Sequence, residues 1–192
     1  MGEGSVEDIV FLQEEDFKEV NGFVLTIFNF LEVFTSTFVF VIMLLLLVVR
    51  AVGVDGSSME HTLTHSDKLI VLNYFFKQPN YNDIVVLNCI KMKNCDSLIV
   101  KRVIAKEGDV VDIKDGSVYV NNVKLNEPYA IGKTVPGSAL SYPVKVPKGF
   151  IFYLGDNREH SGDARSFGLL PVCRVQGRVP MRIIPLRKFT IF

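Results

Sequence analysis

Several features that would assign a protein to a large functional class are missing from this 192-residue sequence. It has no glycine-rich loop of the kind that cradles phosphate groups, and no basic stretch interleaved with aromatic residues that would indicate a nucleic-acid partner. His61 and His65 are followed by no obvious third ligand for zinc. We therefore expect no cofactor, no metal ion and no nucleic acid. Intrinsic disorder is excluded as the main state, because 48% of the residues are hydrophobic and 22% are charged.

An excess of charge of one sign is also missing, but only when the whole chain is counted. The 21 basic residues balance the 21 acidic residues. Residues 1–49 carry eight acidic residues and one basic residue, which is a net charge of −7. Residues 50–192 carry the remaining 20 basic and 13 acidic residues, which is a net charge of +7. The distribution indicates a chain of two different parts.

The join between the two parts is an apolar segment. Residues 33–49 contain no charged side chain, and Arg50 ends the run. This length is close to the minimum for spanning a bilayer, and residues 38–49 lack the polar face that a soluble core helix would show. A cleaved signal peptide is disfavoured, because the leader is acidic and no Ala-x-Ala site follows the run. We predict an acidic leader and helix start over 1–32 and a transmembrane helix over 33–50.

Residues 51–192 are typical of a mostly β domain with antiparallel strands. Short β-branched runs alternate with turn signals, and Asp115-Gly116 between two of them favours a tight hairpin. No long helical periodicity is present. With about 140 residues the domain is large enough to bury its own core. The predicted strands are Lys68–Asn73, Asp83–Leu87, Ser97–Ile104, Val110–Ile113, Ser117–Val120 and Phe150–Leu154.

The first segment suited to chemistry is the small, flexible turn Gly56-Ser57-Ser58. Such a turn can present a serine hydroxyl with backbone N–H groups nearby, although most serines in turns are surface residues. A second segment places Lys101 and Arg102 next to each other in an apolar strand. Because neighbouring residues of a strand face opposite sides, we expect one of these cations to press against the core. A desolvated lysine can lose its proton and act as a general base, whereas a lysine with its amine in water stays charged.

The third segment, Gly155–Arg165, follows a predicted strand and is dense in hydrogen-bonding groups. It is suited either to orienting a catalytic residue or to holding a loop together. Asp163 and Arg165 in this segment are placed to form an ion pair.

Together these segments resemble the boxes of bacterial type I signal peptidases, in order and over about 140 residues. The family's Ser-Met-x-Pro-Thr-Leu, Lys-Arg-Val-Ile-Gly-x-x-Gly-Asp and Gly-Asp-Asn-Arg-x-x-Ser-x-Asp-Ser-Arg boxes are matched, as is a shorter box between the first two. The matching segments are Ser58–Leu63, Asp83–Val86, Lys101–Asp109 and Gly155–Arg165. The departures from the family pattern are Asn82, His61, Ala105 and Ala164. Both positions that would carry the reaction are intact.

The resemblance implies a coiled antiparallel β-sheet domain with serine endopeptidase activity. It assigns the nucleophile to Ser58 and the general base to Lys101, whose amine must be uncharged to take the hydroxyl proton. Ser161 would donate a hydrogen bond to that amine and fix its direction. Asp163 and Arg165 would hold the loop that carries Ser161.

The oxyanion hole must come from backbone N–H groups near Ser57 and Ser58. Some relatives add a side-chain hydroxyl at the position of Gly56, which this chain lacks. The resemblance also implies a substrate: a secretory preprotein bound as an added strand and cut after small residues in an Ala-x-Ala-like pattern. The sequence identifies no pocket residues beyond the strand edges near Gly53–Ser57 and Asp83–Val86.

The position of the nucleophile fits a substrate that emerges from a membrane. Ser58 follows Val49 by nine residues, which span roughly 30 Å at full extension. Membrane lipid is therefore an expected partner, and Tyr74–Phe76 is a candidate for contact with the bilayer surface, with burial in the core as the alternative.

The resemblance implies a single-pass protein of the plasma membrane with its catalytic domain on the extracytoplasmic side. Counting basic residues near the helix leans towards the opposite orientation, and we let the chemistry outweigh it. The basic residues counted are Lys18 on one side and Arg50, Lys68 and Lys77 on the other.

Two other functions fit part of the pattern. A self-cleaving repressor would use a similar serine and lysine, but it would carry a DNA-binding segment where this chain has an apolar one. A membrane-tethered binding module without activity is the second alternative, and the intact Ser58, Lys101 and Ser161 argue against it. Whether Cys89 and Cys95 pair as a disulfide, and how many copies associate, stay open.

Overall fold

The computed structural model describes residues 6–73, 78–90, 95 and 97–192, with side chains from residue 22 onward except at 47–49. The chain divides into two compact units between residues 47 and 48. Residues 74–76, the candidate for contact with the bilayer surface, lie outside the described part of the chain.

The first unit is formed by a long helix, α1 (Val6–Val48). Its segment Gly22–Leu46 has a mean hydropathy of 2.0, and every side chain in it is exposed. The hydroxyls of Thr26 and Thr35 donate to backbone carbonyls one turn earlier, so that these polar groups are satisfied within the helix. By length and composition this segment can span a bilayer.

The sequence predicts a helix start within residues 1–32 and a transmembrane helix over 33–50. Helix α1 begins at Val6 and ends at Val48, because the next two residues already belong to a strand. Val49 and Arg50 pair with Leu72 and Val71 in the sheet of the second unit. Sheet pairing therefore decides where the helix ends.

The second unit is built on a sheet of eight strands, and its pairs are antiparallel. The strand order is β1-β2-β11-β3-β4-β9-β10, and β12 pairs with β11. These strands are β1 (Val49–Gly53), β2 (Lys68–Asn73), β3 (Ile84–Asn88), β4 (Leu98–Lys106), β9 (Phe150–Leu154), β10 (Leu170–Pro171), β11 (Val175–Ile184) and β12 (Thr190–Ile191).

A smaller antiparallel sheet follows β4 in the chain, in the order β7-β6-β5-β8. Asp115 and Gly116 form the turn between its two longest strands, with Lys114 paired to Ser117, as the sequence predicts. Both turn residues have positive φ angles, as a tight hairpin turn of this type requires. The strands are β5 (Val110–Lys114), β6 (Ser117–Val120), β7 (Val123–Lys124) and β8 (Val144–Lys145). A short helix, α2 (Ala164–Phe167), follows β9.

The fold is mostly β with antiparallel sheets after one apolar helix, which confirms the predicted fold class. Two apolar clusters form the core of the second unit. The smaller cluster contains Met59 and Leu63, which are both fully buried. These two side chains fix the segment that carries Ser58, so the core positions the candidate site directly.

Candidate active site

Strand β4 carries two neighbouring cations, and the structure buries both. Lys101 is 3% exposed and Arg102 is 7% exposed. The sequence leads to the expectation that one of them presses against the core, and the structure buries the second one as well. Alternation along the strand does send the two side chains to opposite sides. Because both sides of the strand are covered, burying each cation costs free energy, which the groups around that cation must offset.

The buried amine of Lys101 lies next to the hydroxyl of Ser58. Its Nζ lies 2.5 Å from Ser58 Oγ, and it also donates to the carbonyl oxygen of Val100 at 3.0 Å. Among the described residues no carboxylate forms an ion pair with it. Burial lowers the pKa of Lys101 from 10.5 to about 8, and the more distant negative charge of Asp163 opposes this shift. The amine is therefore uncharged in a useful fraction of molecules near neutral pH.

The buried guanidinium of Arg102 is surrounded by hydrogen-bonding partners. Its guanidinium makes two hydrogen bonds to the carboxylate of Asp156, at 2.9 and 2.6 Å. It also donates to the carbonyl of Asn82 and lies 4.0 Å from the centre of the Tyr129 ring. Asn82 stands where the family pattern has glycine, and its φ of 65° is the left-handed conformation that glycine and asparagine adopt most readily.

The turn that presents Ser58 is held from two sides. Gly56 has a φ of 101°, a conformation that a residue with a side chain rarely adopts. Asn157 donates from its backbone N–H to the carbonyl of Ser58 at 3.0 Å and from its side chain to the carbonyl of Ser57 at 3.3 Å. Thr62 Oγ1 donates to Asp156 at 2.5 Å. The serine segment is thus tied to the Gly155–Arg165 segment, a connection that the sequence reasoning missed.

The backbone N–H groups near the Ser58 hydroxyl are available to a ligand. In the described part of the chain the N–H groups of Ser57 and Ser58 donate no hydrogen bond. Both lie next to Ser58 Oγ along the chain. They are suited to stabilise negative charge that develops on an oxygen beside that hydroxyl.

The loop after β9 contains the expected ion pair. The carboxylate of Asp163 accepts from Arg165 Nε and Nη2, both at 2.9 Å, and both residues are buried. Asp163 also accepts from the backbone N–H of Gly155 at 3.1 Å and caps α2. Arg165 in turn donates to the carbonyl of Arg158. The predicted pairing of Asp163 with Arg165 is confirmed.

The hydrogen bonding of Ser161 differs from what the sequence predicts. The hydrogen bond from Ser161 to the Lys101 amine is not formed, because its buried Oγ has no hydrogen-bond partner among the described residues. The hydroxyl nevertheless lies at the site. A methyl group added to Gly155 would clash with both Ser161 Oγ and the carbonyl oxygen of Ser58. Ser161 therefore lies beside Gly155 and close to the backbone of Ser58, with no hydrogen bond to the Lys101 amine.

An open cleft of about 380 Å³ runs past Ser58 and Lys101. On one side lies β1, the edge strand of the large sheet. The other side is residues 98–101 of β4, which pair with β3 but not with β9. The edge near residues 53–57 was predicted. The edge predicted near residues 83–86 is not one, because β3 is paired with both β11 and β4, and only Val86 of this stretch lines the cleft. The contribution of β4 was not predicted, since it depends on where the pairing with β9 begins. The lining residues are Val52–Gly56, Ser58, Met59, Val86 and Ser97–Lys101.

The three cysteines are free thiols, and Cys89 and Cys95 are buried. Burial raises the pKa of Cys89 to about 12, and its contact with Cys95 adds to the shift. The Cys89 thiol is therefore protonated at neutral pH. Within the described ranges no group of three or more His, Cys, Asp or Glu side chains is arranged to hold a metal ion.

The sequence matches known proteins over the region that contains this site. The family model described as signal peptidase, peptidase S26, matches residues 27–184. Thylakoidal processing peptidase 1 of Arabidopsis thaliana is 32% identical over 146 residues, which cover 71% of this chain and 42% of that protein. Probable signal peptidase I-2 of Synechocystis is 37% identical over 144 residues, which cover 72% of this chain and 65% of that protein.

A third relative is matched over more of its own length. Signal peptidase I of Bacillus caldolyticus is 35% identical over 149 residues, which cover 71% of this chain and 80% of that protein. The chain spans less than two thirds of the length of the first two relatives. Because the family model covers more than half of the chain, the chain belongs to the signal peptidase family, peptidase S26.

Proposed function

We propose that the protein is a membrane-anchored serine endopeptidase that removes signal peptides from secretory preproteins. The observation that carries this proposal is the 2.5 Å distance between Lys101 Nζ and Ser58 Oγ at a buried position. Three relatives are named as peptidases that process proteins or signal peptides, which supports the same reaction class.

In the proposed reaction Ser58 is the nucleophile and Lys101 is the general base. The uncharged amine accepts the proton of Ser58 as Oγ attacks the carbonyl carbon of the scissile bond. The resulting ammonium then gives this proton to the leaving amine when the C–N bond breaks. Water hydrolyses the acyl-enzyme ester in the same way, with Lys101 taking its proton and returning it to Ser58.

The lowered pKa of Lys101 is what makes a lysine usable as the base. In water a lysine with a pKa near 10.4 holds its proton at neutral pH and cannot take another. At a pKa of about 8 roughly one tenth of the molecules carry the free amine at pH 7. The apolar neighbour Val103 on the same strand face is fully buried and contributes to this desolvation.

Negative charge on the carbonyl oxygen would be stabilised by the free N–H groups of Ser57 and Ser58. No side-chain hydroxyl is available at Gly56, so the main chain carries this task. Removing a single donor of such a site typically costs about 10²–10³ in rate. The bonds from Asn157 to the carbonyls of Ser57 and Ser58 hold this stretch of backbone in place.

Positioning residues support the dyad. Asp163 and Arg165 fix the loop that brings Ser161 to the site, and Ser161 is proposed to bond the Lys101 amine when substrate is bound. Asp156 connects Arg102 on β4 with Thr62 beyond the nucleophile. The Asp156 carboxylate therefore joins the strand that carries the proposed base to the segment that follows the proposed nucleophile.

The substrate is proposed to bind as an extended strand in the cleft between β1 and the unpaired part of β4. Edge strands offer free N–H and C=O groups, which give affinity, and the cleft offers room for alternate side chains. We propose that the cleft, which the backbone of Gly53 lines, accepts small residues before the cut, as in an Ala-x-Ala-like site.

Helix α1 is proposed to anchor the protein in the plasma membrane in a single pass, with residues 1–32 cytoplasmic and residues 51–192 extracytoplasmic. Counting of basic residues leans towards the opposite orientation. Protease added to intact cells separates the two: we expect residues 51–192 to be digested without lysis. Protection of this domain until lysis would contradict the proposed topology.

The enzymatic proposal is tested by incubating a labelled preprotein with the full chain in membranes or detergent. We expect cleavage by the wild type, and a rate loss of order 10⁴ or more for Ser58→Ala and for Lys101→Met. Both variants are checked for folding by circular dichroism, and Lys148→Met at an exposed lysine is the matched control. Cleavage that persists in Lys101→Met would remove the proposed base.

A further inference from the structure

Two buried thiols that the proposed reaction does not use lie where the pair of strands β3 and β4 ends. Cys89 directly follows β3 and is fully buried, and Cys95 comes shortly before β4 and is 8% exposed. The two side chains are in hydrogen-bonding contact within the larger apolar cluster. Thiols in direct contact meet the first requirement for a disulfide, which is a short distance between the two side chains.

The backbone around Cys89 is held firmly. Its N–H donates to the carbonyl of Ser97 at 3.0 Å, which continues the ladder between the two strands. The guanidinium of Arg174 donates to the carbonyls of Asn88 and Ile90, the residues on either side, at 3.2 and 3.0 Å. A bond from Cys95 to Cys89 would therefore attach the beginning of β4 to a fixed point.

The thiol of Cys89 lies on the same face of the sheet as the proposed base. Val85 is opposite Lys101 in the ladder, and Leu87 is opposite Ile99. Residues directly opposite each other in an antiparallel pair share a face, and Cys89 continues the row that begins with Val85 and Leu87. All three residues of this row are buried in the larger cluster.

The nearby part of β4 is one wall of the substrate cleft. Residues 98–101 pair with β3 only, because the pairing with β9 begins at Arg102. Ser97 and Leu98 at the beginning of this wall are exposed. A stretch of strand held by one neighbour opens more easily than one held between two. The wall is therefore the part of the cleft that a bond between Cys89 and Cys95 would stabilise.

We propose that Cys89 and Cys95 form a reversible disulfide that fixes the wall of the substrate cleft formed by residues 98–101. The structure holds the reduced form of this pair. The oxidant is an external disulfide such as oxidised glutathione, and an extracytoplasmic location of the domain would favour the oxidised form. The role in the cleft rests on the proposed proteolysis, whereas the bond itself can be measured in the Ser58→Ala protein.

The reaction is an exchange of thiols and disulfides in two steps. Cys95 is the less buried thiol, so it attacks a sulfur atom of the external disulfide and forms a mixed disulfide. Cys89 then attacks the sulfur atom of Cys95, which closes the protein disulfide. In each step the attacking cysteine gives its proton to the thiol that leaves. The two cysteines together lose two electrons, which the external disulfide gains.

The sequence allows a direct test of the bond. Lys91 and Lys93 stand between the two cysteines, so trypsin separates them into two peptides unless a disulfide joins these. The test protein is the full chain in detergent with the exposed Cys173 changed to serine. After treatment with oxidised glutathione and alkylation of free thiols, we expect mass spectrometry to find the two peptides linked, and dithiothreitol to separate them. Two alkylated cysteines, or glutathione on Cys95 alone, would overturn the proposal.

Two variants in the same Cys173→Ser background serve as controls. Cys95→Ala should give no linked peptides. Cys89→Ala should hold one glutathione on Cys95, because no second thiol is present to displace it. Glutathione bound by Cys95→Ala but not by Cys89→Ala would contradict the order of the two steps.

The effect on the wall is measured by hydrogen exchange in the protein with Ser58→Ala and Cys173→Ser. We expect oxidation to slow the exchange of the amides in residues 97–101 several-fold, because the bond restricts local opening. Residues 117–120 in the smaller sheet should exchange equally in both states, and so should residues 97–101 in Cys95→Ala. Equal exchange of residues 97–101 in the oxidised and reduced protein would overturn the fixing of the wall.

Cleavage of a labelled peptide by the Cys173→Ser protein tests the role in substrate binding. We expect oxidation to lower KM several-fold and to change kcat less, because the wall binds the peptide without taking part in the chemistry. An unchanged KM would contradict this role. If neither state cleaves the peptide, the proposed proteolysis fails, while the linked peptides and the hydrogen exchange still decide whether the disulfide forms and fixes β4.

Discussion

Strand β4 buries one basic side chain on each of its two sides, and the surroundings of these two side chains differ. On one side Arg102 is surrounded by partners: the carboxylate of Asp156, a backbone carbonyl and the ring of Tyr129. On the other side Lys101 has a hydroxyl, a carbonyl and an apolar wall, and its nearest carboxylates act only from a distance. The two residues are adjacent in sequence and almost equally buried.

The comparison separates two uses of burial. A buried charge with a hydrogen-bonded counter-ion keeps its charge and fixes geometry, although removing one partner is costly. A buried amine without a counter-ion is destabilised in its charged form, so its pKa falls. Arg102 is therefore suited to connecting segments of the fold and Lys101 to moving a proton. The following experiments change one side at a time.

The largest effect, a loss of cleavage rate, is expected when Lys101 is replaced by arginine, the residue type of its neighbour Arg102. In Lys101→Arg the guanidinium keeps its proton at any working pH and cannot accept one from Ser58. We expect a rate loss of order 10⁴ or more, as for Lys101→Met, measured by cleavage of a labelled preprotein. Substantial activity in Lys101→Arg would show that no proton is taken up at this position.

The next largest effect, a loss of stability, is expected from breaking the ion pair between Arg102 and Asp156 on the other side of β4. Asp156→Asn leaves Arg102 charged and buried with an amide oxygen as its partner. We expect the free energy of unfolding to fall by about 3 kcal/mol, the lower end for a broken buried pair. Chemical denaturation of the full chain in detergent measures it.

The control for that change is an ion pair at the surface. Asp112→Asn breaks the contact with Lys114, in which both side chains are partly exposed. Such pairs contribute about 0–1 kcal/mol, so little change is expected. Equal losses for Asp156→Asn and Asp112→Asn would mean that burial does not distinguish the two pairs.

Removing the unpaired cation should stabilise the fold. The folded state lowers the pKa of Lys101 from 10.5 to about 8, so below pH 8 the protonated amine is held at a cost. At about 1.4 kcal/mol per unit, Lys101→Met should raise the free energy of unfolding at pH 7 by about 3 kcal/mol. Between pH 8 and 10.5 the unfolded wild type binds more protons than the folded one, so the stability of the wild type rises and the difference shrinks.

The stability of Lys101→Met is best compared with that of Lys148→Met, at a lysine that is exposed. No pH-dependent difference from the wild type is expected for this control. A Lys101→Met protein that unfolds more easily than the wild type at pH 7 would contradict the assigned cost of burying the amine.

The same pKa predicts how the cleavage rate depends on pH. Only the uncharged amine can act, so kcat/KM should rise about tenfold per pH unit below pH 8 and level off above it. A peptide substrate without groups that titrate in this range makes the profile report the free enzyme. A flat profile from pH 6 to pH 9 would contradict Lys101 as the base.

Local patterns in the sequence predict much of the fold. Lys68–Asn73, Ser117–Val120 and Phe150–Leu154 are strands within the predicted limits, because β-branched and aromatic residues suit a pleated surface. The long strand β11 was not predicted. It contains Gly177 and Pro180, and the sheet accommodates the proline where its register with β2 shifts.

Site features that depend on tertiary pairing could not be read from the sequence. Alternation along β4 assigns Lys101 and Arg102 to opposite sides, but only the packed structure reveals that both sides are covered. The connection from Asn157 to the carbonyl of Ser58 joins residues about a hundred positions apart. The Asp163–Arg165 pair could be predicted because the two residues are two apart on one loop.

The smallest effect on stability is expected at Ser161, which distinguishes a structural role from a catalytic one. Its buried hydroxyl makes no hydrogen bond within the described residues, so Ser161→Ala breaks none and should leave the free energy of unfolding unchanged or slightly higher. Thr134→Val is the matched control, because the buried Thr134 hydroxyl accepts from Arg158 at 2.6 Å and its loss should cost about 1–3 kcal/mol. If Ser161 orients Lys101 only in the substrate complex, kcat should fall while stability and the pH profile of kcat/KM keep their wild-type form. A loss of stability as large as that of Thr134→Val would instead assign Ser161 to the fold.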